Sequence, residues 1–358
     1  MKILPVVLMS AGAVTATLAL SALPDTQIAQ AAPQVSRLPV EGTAPGFAGA
    51  TTWLNSAPLT PQQLRGKVVL VDFWTYSCIN CIRTFPYIRA WANKYRDQNF
   101  VVVGVHTPEF KFEQDLVNVN TGVARFKLDF PIAVDSNRSI WQAWGNRYWP
   151  AYYLIDANGK IRYHQFGEGD YDKAERAIQS LLLEANGRAP DTSLVKPEGP
   201  AEQMAPDLER IGSEETYVGY GHPSDFRSRE RLLQDRPQQY SVGNLGLNEW
   251  GLTGRWVVGS ERAVTDQPDA GIAYQFNARD LHLVAGAGER GRSVRIKVTI
   301  DGRAPGADHG ADIDAEGNGT IGETRLYQLV RQRGGVRQRR FEIRFLDQGA
   351  QAYAFTFG

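Results

Sequence analysis

Cysteine is almost absent from this chain: two residues in 358, Cys78 and Cys81. One pair three residues apart cannot scaffold a disulfide-stapled fold, because so short a loop constrains the unfolded chain little. Structural zinc needs four ligands. There is no third cysteine, and the five histidines (His106, His164, His222, His282, His309) show no paired spacing. Net charge is absent too: 39 basic against 39 acidic residues leave a formal charge of zero. Such a balance offers nothing to nucleic acid or to an acidic surface. No run beyond about Leu23 approaches transmembrane length. No repeat of 20–50 residues marks a solenoid or propeller.

What is present is informative. Cys78-Ile79-Asn80-Cys81 directly follows the apolar run Val68-Val69-Leu70-Val71-Asp72-Phe73-Trp74, which predicts a buried strand entering a helix. Two cysteines one helical turn apart suit reversible dithiol–disulfide chemistry. The free N–H groups and positive end of the helix favour a thiolate on the first cysteine, and thiolate is the attacking species in exchange. Cys78 is therefore the expected nucleophile and Cys81 the resolving thiol. Asp72, a lone carboxylate inside an apolar strand, would be desolvated and able to trade protons near neutral pH.

Residues 1–31 read as a secretory signal peptide or anchor. Lys2 precedes an apolar stretch, and Ala29-Gln30-Ala31 is a small-x-small cleavage triplet. Either form places the rest of the chain outside the cytoplasmic membrane, in periplasm or cell envelope, where disulfides persist.

Two textures follow. Residues 44–185 alternate strands with helices: strands at 67–74, 100–105, 131–134, 151–155 and 159–164, helices at 81–96, 109–126, 139–144 and 171–183. This is an α/β pattern. Residues 186–212 form a linker; four prolines between Ala185 and Asp207 make it semi-extended. Residues 213–358 nearly lose the helical signal. Short alternating runs such as 294–300, 325–330 and 341–345 predict an all-β sandwich, jelly-roll-like. The change of texture implies two independent cores.

The first module resembles thioredoxin-like thiol–disulfide oxidoreductases of the TlpA/ResA type. The resemblance rests on Lys67–Trp74, Cys78-Ile79-Asn80-Cys81, Pro86 in the following helix, and Trp149-Pro150 before the strand Ala151–Ile155. Trp74-Thr75-Tyr76-Ser77-Cys78 and Gly145-Asn146-Arg147-Tyr148-Trp149-Pro150 are similar to the extracytoplasmic half of DipZ-type proteins. In those, a carbohydrate-binding-module-like β domain follows. The resemblance implies that Asp72 serves proton transfer at the resolving cysteine and that Glu109 is an active-site glutamate. It makes Pro150 a cis-proline facing the cysteines, with Trp149 and Tyr76 among the substrate-binding residues. An extended client would pair with the backbone there by β-augmentation. Expected partners are extracytoplasmic proteins bearing disulfides or dithiols; neither metal nor cofactor is implied. DipZ-type proteins carry an electron-transferring CcdA-like membrane domain that is not among these residues, so a separate CcdA-like donor is the implied source of reductant.

Other readings stay open on the sequence. Thr75-Tyr76-Ser77-Cys78 supplies the Thr-x-x-Cys half of a peroxiredoxin site, without its proline at position 71. A glycan- or envelope-binding protein could use the first module as scaffold, with Trp250 and Trp256 stacking on sugars. Asp312, Asp314 and Glu323 approximate a Ca²⁺-loop spacing. Five arginines between Arg331 and Arg340 could face an anion or form a solvated hairpin. His106 could tune the thiols.

Overall fold

The apolar run at Val68–Trp74 becomes the central strand of the first sheet, buried at all seven residues. The computed structural model describes residues 37–358 except Pro223, Glu289 and Arg290, so the signal peptide or anchor expected at 1–31 lies outside the described residues. Among the described residues, no helix is long and apolar enough to cross a membrane.

In chain order the first part comprises β1 (Gly42–Thr43), β2 (Thr52–Leu54), β3 (Val68–Trp74), α1 (Ile79–Lys94), β4 (Phe100–His106), α2 (Leu116–Arg125), β5 (Ile132–Val134), α3 (Ser139–Ala143), β6 (Ala151–Ile155), β7 (Lys160–Phe166) and α4 (Tyr171–Asn186). The sheet runs β1-β7-β6-β3-β4-β5-β2. β3 pairs parallel with β4 and antiparallel with β6. Both faces are covered, so successive β3 side chains enter different cores. Val69, Val71 and Phe73 join one cluster. Val68, Leu70 and Trp74 join another, with Cys81, Ile82 and Phe85 of α1. The same period of two puts Asp72 on the α1 side. Register thus sets a carboxylate beneath the helix that carries the cysteines.

One local expectation changes. The helix expected at 109–126 is a 3₁₀ turn, Lys111–Gln114, followed by α2. Asp115 divides them, because its carboxylate accepts the Val117 N–H at 2.9 Å as a new N-cap. Pro86 lies inside α1 without dividing it. The edge strands β1 and β2 are two and three residues long, too short to show alternation.

The second part comprises β8 (Thr216–Tyr217), β9 (Pro237–Tyr240), β10 (Trp250–Val258), β11 (Ala263–Thr265), β12 (Ala270–Phe276), β13 (Asp280–Gly286), β14 (Val294–Ile300), β15 (Asn318–Ile321), β16 (Arg325–Arg331), β17 (Arg339–Phe345) and β18 (Gln351–Phe357). Their order is β15-β14-β17-β12-β10-β11-β18-β13-β16, with β8 on β18 and β9 on β10. β10 turns the corner between layers: Trp250–Thr253 pair with β12, and Gly254–Val257 pair with β9. Gly254 makes the corner at φ +80°, where a Cβ would lie 2.7 Å from the Ala270 Cα. The layers close on a core that includes Trp250, Trp256, Tyr274 and Phe345. This is a β-sandwich.

The two parts do not have independent cores. Val284, Leu326, Tyr353 and Ala354 of the sandwich belong to the same buried cluster as Trp74, Tyr76, Ile82 and Phe85. The Tyr353 ring sits 4.6 Å from Phe112 and 5.4 Å from Phe110. The proline-rich segment, without helix or strand from 189 to 200, is tied down. Val195 N–H donates to Glu175 at 2.8 Å, and Glu202 pairs with Arg125 at 2.9 Å. Its prolines do not tell that the strands beyond it present an apolar face to α1 and α2. Tyr353→Ala is accordingly expected to cost about 3 kcal/mol through lost burial and the cavity left behind. Urea unfolding followed by near-UV and far-UV signals should then show both parts melting together at lower urea. Two separate transitions would contradict a shared core.

Candidate active site

Helix α1 begins at Ile79, which makes Cys78 its N-cap. The Cys78 Sγ accepts the Cys81 N–H at 3.4 Å. That donor is one of the N–H groups no helical carbonyl can reach, so the helix start offers its positive end to this sulfur. Both cysteines are free thiols; Cys78 is half-buried and Cys81 buried. Burial first, and then the neighbouring Cys78, push the Cys81 thiol well up. Asp72 adds to that upward push by its charge. The two side chains therefore differ: one reaches solvent, the other is buried and holds its proton.

Both carboxylate oxygens of Asp72 are buried without a hydrogen-bond partner. Burial alone pushes its carboxyl up to about 7. A carboxyl titrating there can take or give a proton at neutral pH.

The cleft over Cys78 has a volume of about 510 Å³, within the usual range for ligand sites. Its walls include Arg83, Glu109, Trp149 and Glu168. Glu109 is pushed up to about 8, by burial first and then by the charges of Glu215 and Glu113; a bond from Tyr217 and the charge of Arg138 oppose this. Trp149 is fixed by its Nε1–H donating to the Thr107 carbonyl at 3.1 Å and by the Trp141 ring at 4.2 Å. The Trp149–Pro150 peptide is cis. Tyr76 is not brought to this cleft. Its ring stacks on His106 at 5.8 Å and lines a separate cavity under α2. Following an inward-facing Thr75, it turns with the chain into the core.

Residues 32–180 match the family model described as Redoxin, and residues 213–358 match the one described as thioredoxin like C-terminal domain. Protein DipZ of Mycobacterium tuberculosis (strain CDC 1551 / Oshkosh) is 38% identical over 73% of this chain and 38% of its own length. Thiol-disulfide oxidoreductase YkuV of Bacillus subtilis is 32% identical over 39% of this chain and 94% of its own. Thiol-disulfide oxidoreductase ResA of Geobacillus thermodenitrificans is 32% identical over 40% of this chain and 79% of its own. The chain belongs to the thioredoxin-like thiol–disulfide oxidoreductases. It spans little more than a third of the DipZ proteins it matches.

In this oxidoreductase one buried residue escaped the sequence reading. Glu113 accepts the Ser77 hydroxyl at 2.6 Å on one oxygen, and the Glu109 and Phe110 N–H groups at 2.6 and 3.0 Å on the other. It thus joins the residue before Cys78 to the backbone of Glu109. Burial raises its carboxyl, and these bonds oppose the rise. A glutamate reaching back to N–H groups is half of a capping box, but position 110 is Phe rather than Ser or Thr, so the pattern is invisible in sequence. Glu113→Ala would leave a hydroxyl and two N–H groups unpaired indoors. A loss of about 3 kcal/mol or more in urea unfolding is expected.

The remaining candidates resolve into structure. His106 is buried between Trp74 and Tyr76, and burial pushes it down to about 3, so it stays neutral. Asp312 is taken by Arg325 and the Gln328 N–H, each at 2.7 Å, and Asp314 by Asn318. Among the described residues, no three His, Cys, Asp or Glu side chains gather as a metal site. Trp250 and Trp256 are core residues. Arg331 pairs with Asp280, Arg339 with Asp301 and Arg340 with Glu342.

Proposed function

We propose that this oxidoreductase exchanges disulfides with protein clients outside the cytoplasmic membrane through Cys78 and Cys81. The observation that carries the reading is the stacking of roles: a half-exposed Cys78 capping α1 in a cleft, a buried Cys81 one turn on, and an unpartnered Asp72 beneath. With the dithiol form, the Cys78 thiolate attacks one sulfur of a client disulfide, and the other client sulfur leaves as a thiolate and is protonated. Asp72 then takes the Cys81 proton. The new thiolate attacks Cys78 Sγ, the mixed disulfide breaks, and the client leaves with both sulfurs reduced. The oxidised pair runs the same steps backward. Trp149 walls the cleft, and the backbone at Trp149–Pro150 offers an extended client a partner by β-augmentation.

The leader at 1–31 supports an extracytoplasmic site, and a CcdA-like membrane protein would supply reductant if electrons flow toward clients. A peroxidase is less well supported: Thr75 is buried, its hydroxyl 3.4 Å from His106 Nε2. A sugar-binding surface draws no support from Trp250 and Trp256, which are both internal. The test is reduction of oxidised glutathione by the reduced chain. Consumption of two chain thiols per disulfide reduced is expected; unreacted thiols beside intact disulfide would remove the reading.

A further inference from the structure

The cleft over Cys78 is not built by the thioredoxin-like part alone. Glu215 and Tyr217, from the strand-entry segment of the β-sandwich, line it as well. β8 carries them there by pairing with β18, Tyr217 opposite Ala354. Ala354 belongs to the shared core, so the placement of this segment is anchored rather than loose. The Tyr217 hydroxyl donates to Glu109 Oε1, and Glu215 Oε2 lies 3.4 Å from the same hydroxyl. A phenol has one proton to donate. It cannot serve two ionised carboxylates at once, and like charges this close resist joint ionisation. One proton shared by the carboxylate pair satisfies the arrangement.

We propose that Tyr217 and Glu215 of the β-sandwich complete the active site as positioning residues: the Glu215 carboxylate keeps on Glu109 a proton that is delivered to the departing client thiol, while the Tyr217 hydroxyl holds the Glu109 carboxyl in place and eases release of that proton. This rests on the exchange reading above. As Cys78 Sγ forms its bond to one client sulfur, the client S–S bond breaks. The second sulfur leaves with the electron pair and takes the proton from the Glu109 carboxyl. The Glu109 carboxylate is then reprotonated from water. In the oxidising direction Glu109 accepts the proton of the attacking client thiol. The sandwich would thereby contribute to the chemical step and not only to which client is met.

Glu113 lies beneath Glu109, bonded to its N–H, and Arg138 donates to its carbonyl and to that of Pro108. Across the cleft, Arg83 is paired with Glu168 at 3.1 Å, with Arg147 and Cys78 nearby. The His222 ring lies 4.9 Å from that of Tyr217. Glu215 raises the Glu109 carboxyl, and the Tyr217 bond lowers it. Removing each should therefore move the same titration in opposite directions.

The experiment is the pH profile, from 6 to 10, of reduction of 2-hydroxyethyl disulfide by the reduced chain. Iodoacetamide alkylation of Cys78 is followed in parallel, since it has no departing thiol to protonate. The exchange profile is expected to carry a falling limb near pH 8 that alkylation lacks. Glu215→Gln should move that limb down by about one unit, and Tyr217→Phe up by about as much. The proposal is overturned if both variants keep the wild-type limb, if both move it the same way, or if alkylation shifts equally. A chain inert at every pH sinks the exchange reading and this one with it; an active chain with unmoved limbs sinks this one alone.

Discussion

Cys81→Ser is expected to leave attack intact and stop the reaction at a mixed disulfide on Cys78, while Cys78→Ser abolishes exchange by at least about a thousandfold. The asymmetry follows from burial. Cys78 caps α1 within an open cleft, whereas Cys81 is buried among core side chains. An incoming disulfide therefore meets Cys78 first. Without Cys81 no thiol is in place to release the client, so adducts persist. The effect is read by mass spectrometry of adducts trapped on the Cys81→Ser chain, after incubation with oxidised glutathione or client extracts. Adducts on Cys81 in the Cys78→Ser chain, at comparable yield, would reverse the two roles.

Asp72→Asn is expected to do two things at once: slow release of the mixed disulfide by about a hundredfold, and stabilise the fold at neutral and higher pH. The second effect has a definite sign. Burial pushes the Asp72 carboxyl from 3.8 up to about 7. The folded chain then holds a proton that the unfolded chain releases above about pH 4. Stability from this group is fully present below the unfolded value and is lost as pH climbs through about 7. Asparagine imitates the protonated carboxyl. The variant should match the parent near pH 4 and exceed it above pH 7, by up to about 4 kcal/mol for a three-unit shift. Urea unfolding at pH 4 and pH 8 gives the stability difference, and rapid-quench sampling of the mixed disulfide gives the release rate. Equal stabilities at both pH values would show that Asp72 meets a partner or water that the fold hides.

These roles were unevenly legible in the chain. Strand β3, the cysteine pair and the carboxylate at Asp72 are local: one apolar run and one spacing state them, and alternation along β3 puts Asp72 on the helix side. Most sandwich strands announced themselves by alternation, as at Val294–Ile300. Strand β18 did not, because Ala352, Ala354 and Thr356 thin the pattern even though it is buried along nearly its whole length. That strand brings Tyr353 and Ala354 to the shared core, beside Val284 of β13 and Leu326 of β16, and no local pattern tells that these residues face the first part rather than solvent. Glu113 and Tyr217 were hidden for a related reason. Glu113 lies 36 residues from Ser77, and Tyr217 lies 108 residues from Glu109. Only the folded register brings each to the active site. Tyr76 shows the converse: the family resemblance implied a place in the cleft, but the turn before α1 sends its ring inward.

Equilibration of the full chain in glutathione buffers of graded redox ratio, followed by quenching with a mass-tagged maleimide, tests the central role of Cys78 and Cys81 most directly. A single two-electron transition is expected, in which both tags are lost together, with no species carrying one tag and one glutathione at equilibrium. Persistence of both free thiols across every buffer, or loss of one tag without the other, would contradict a redox-active pair.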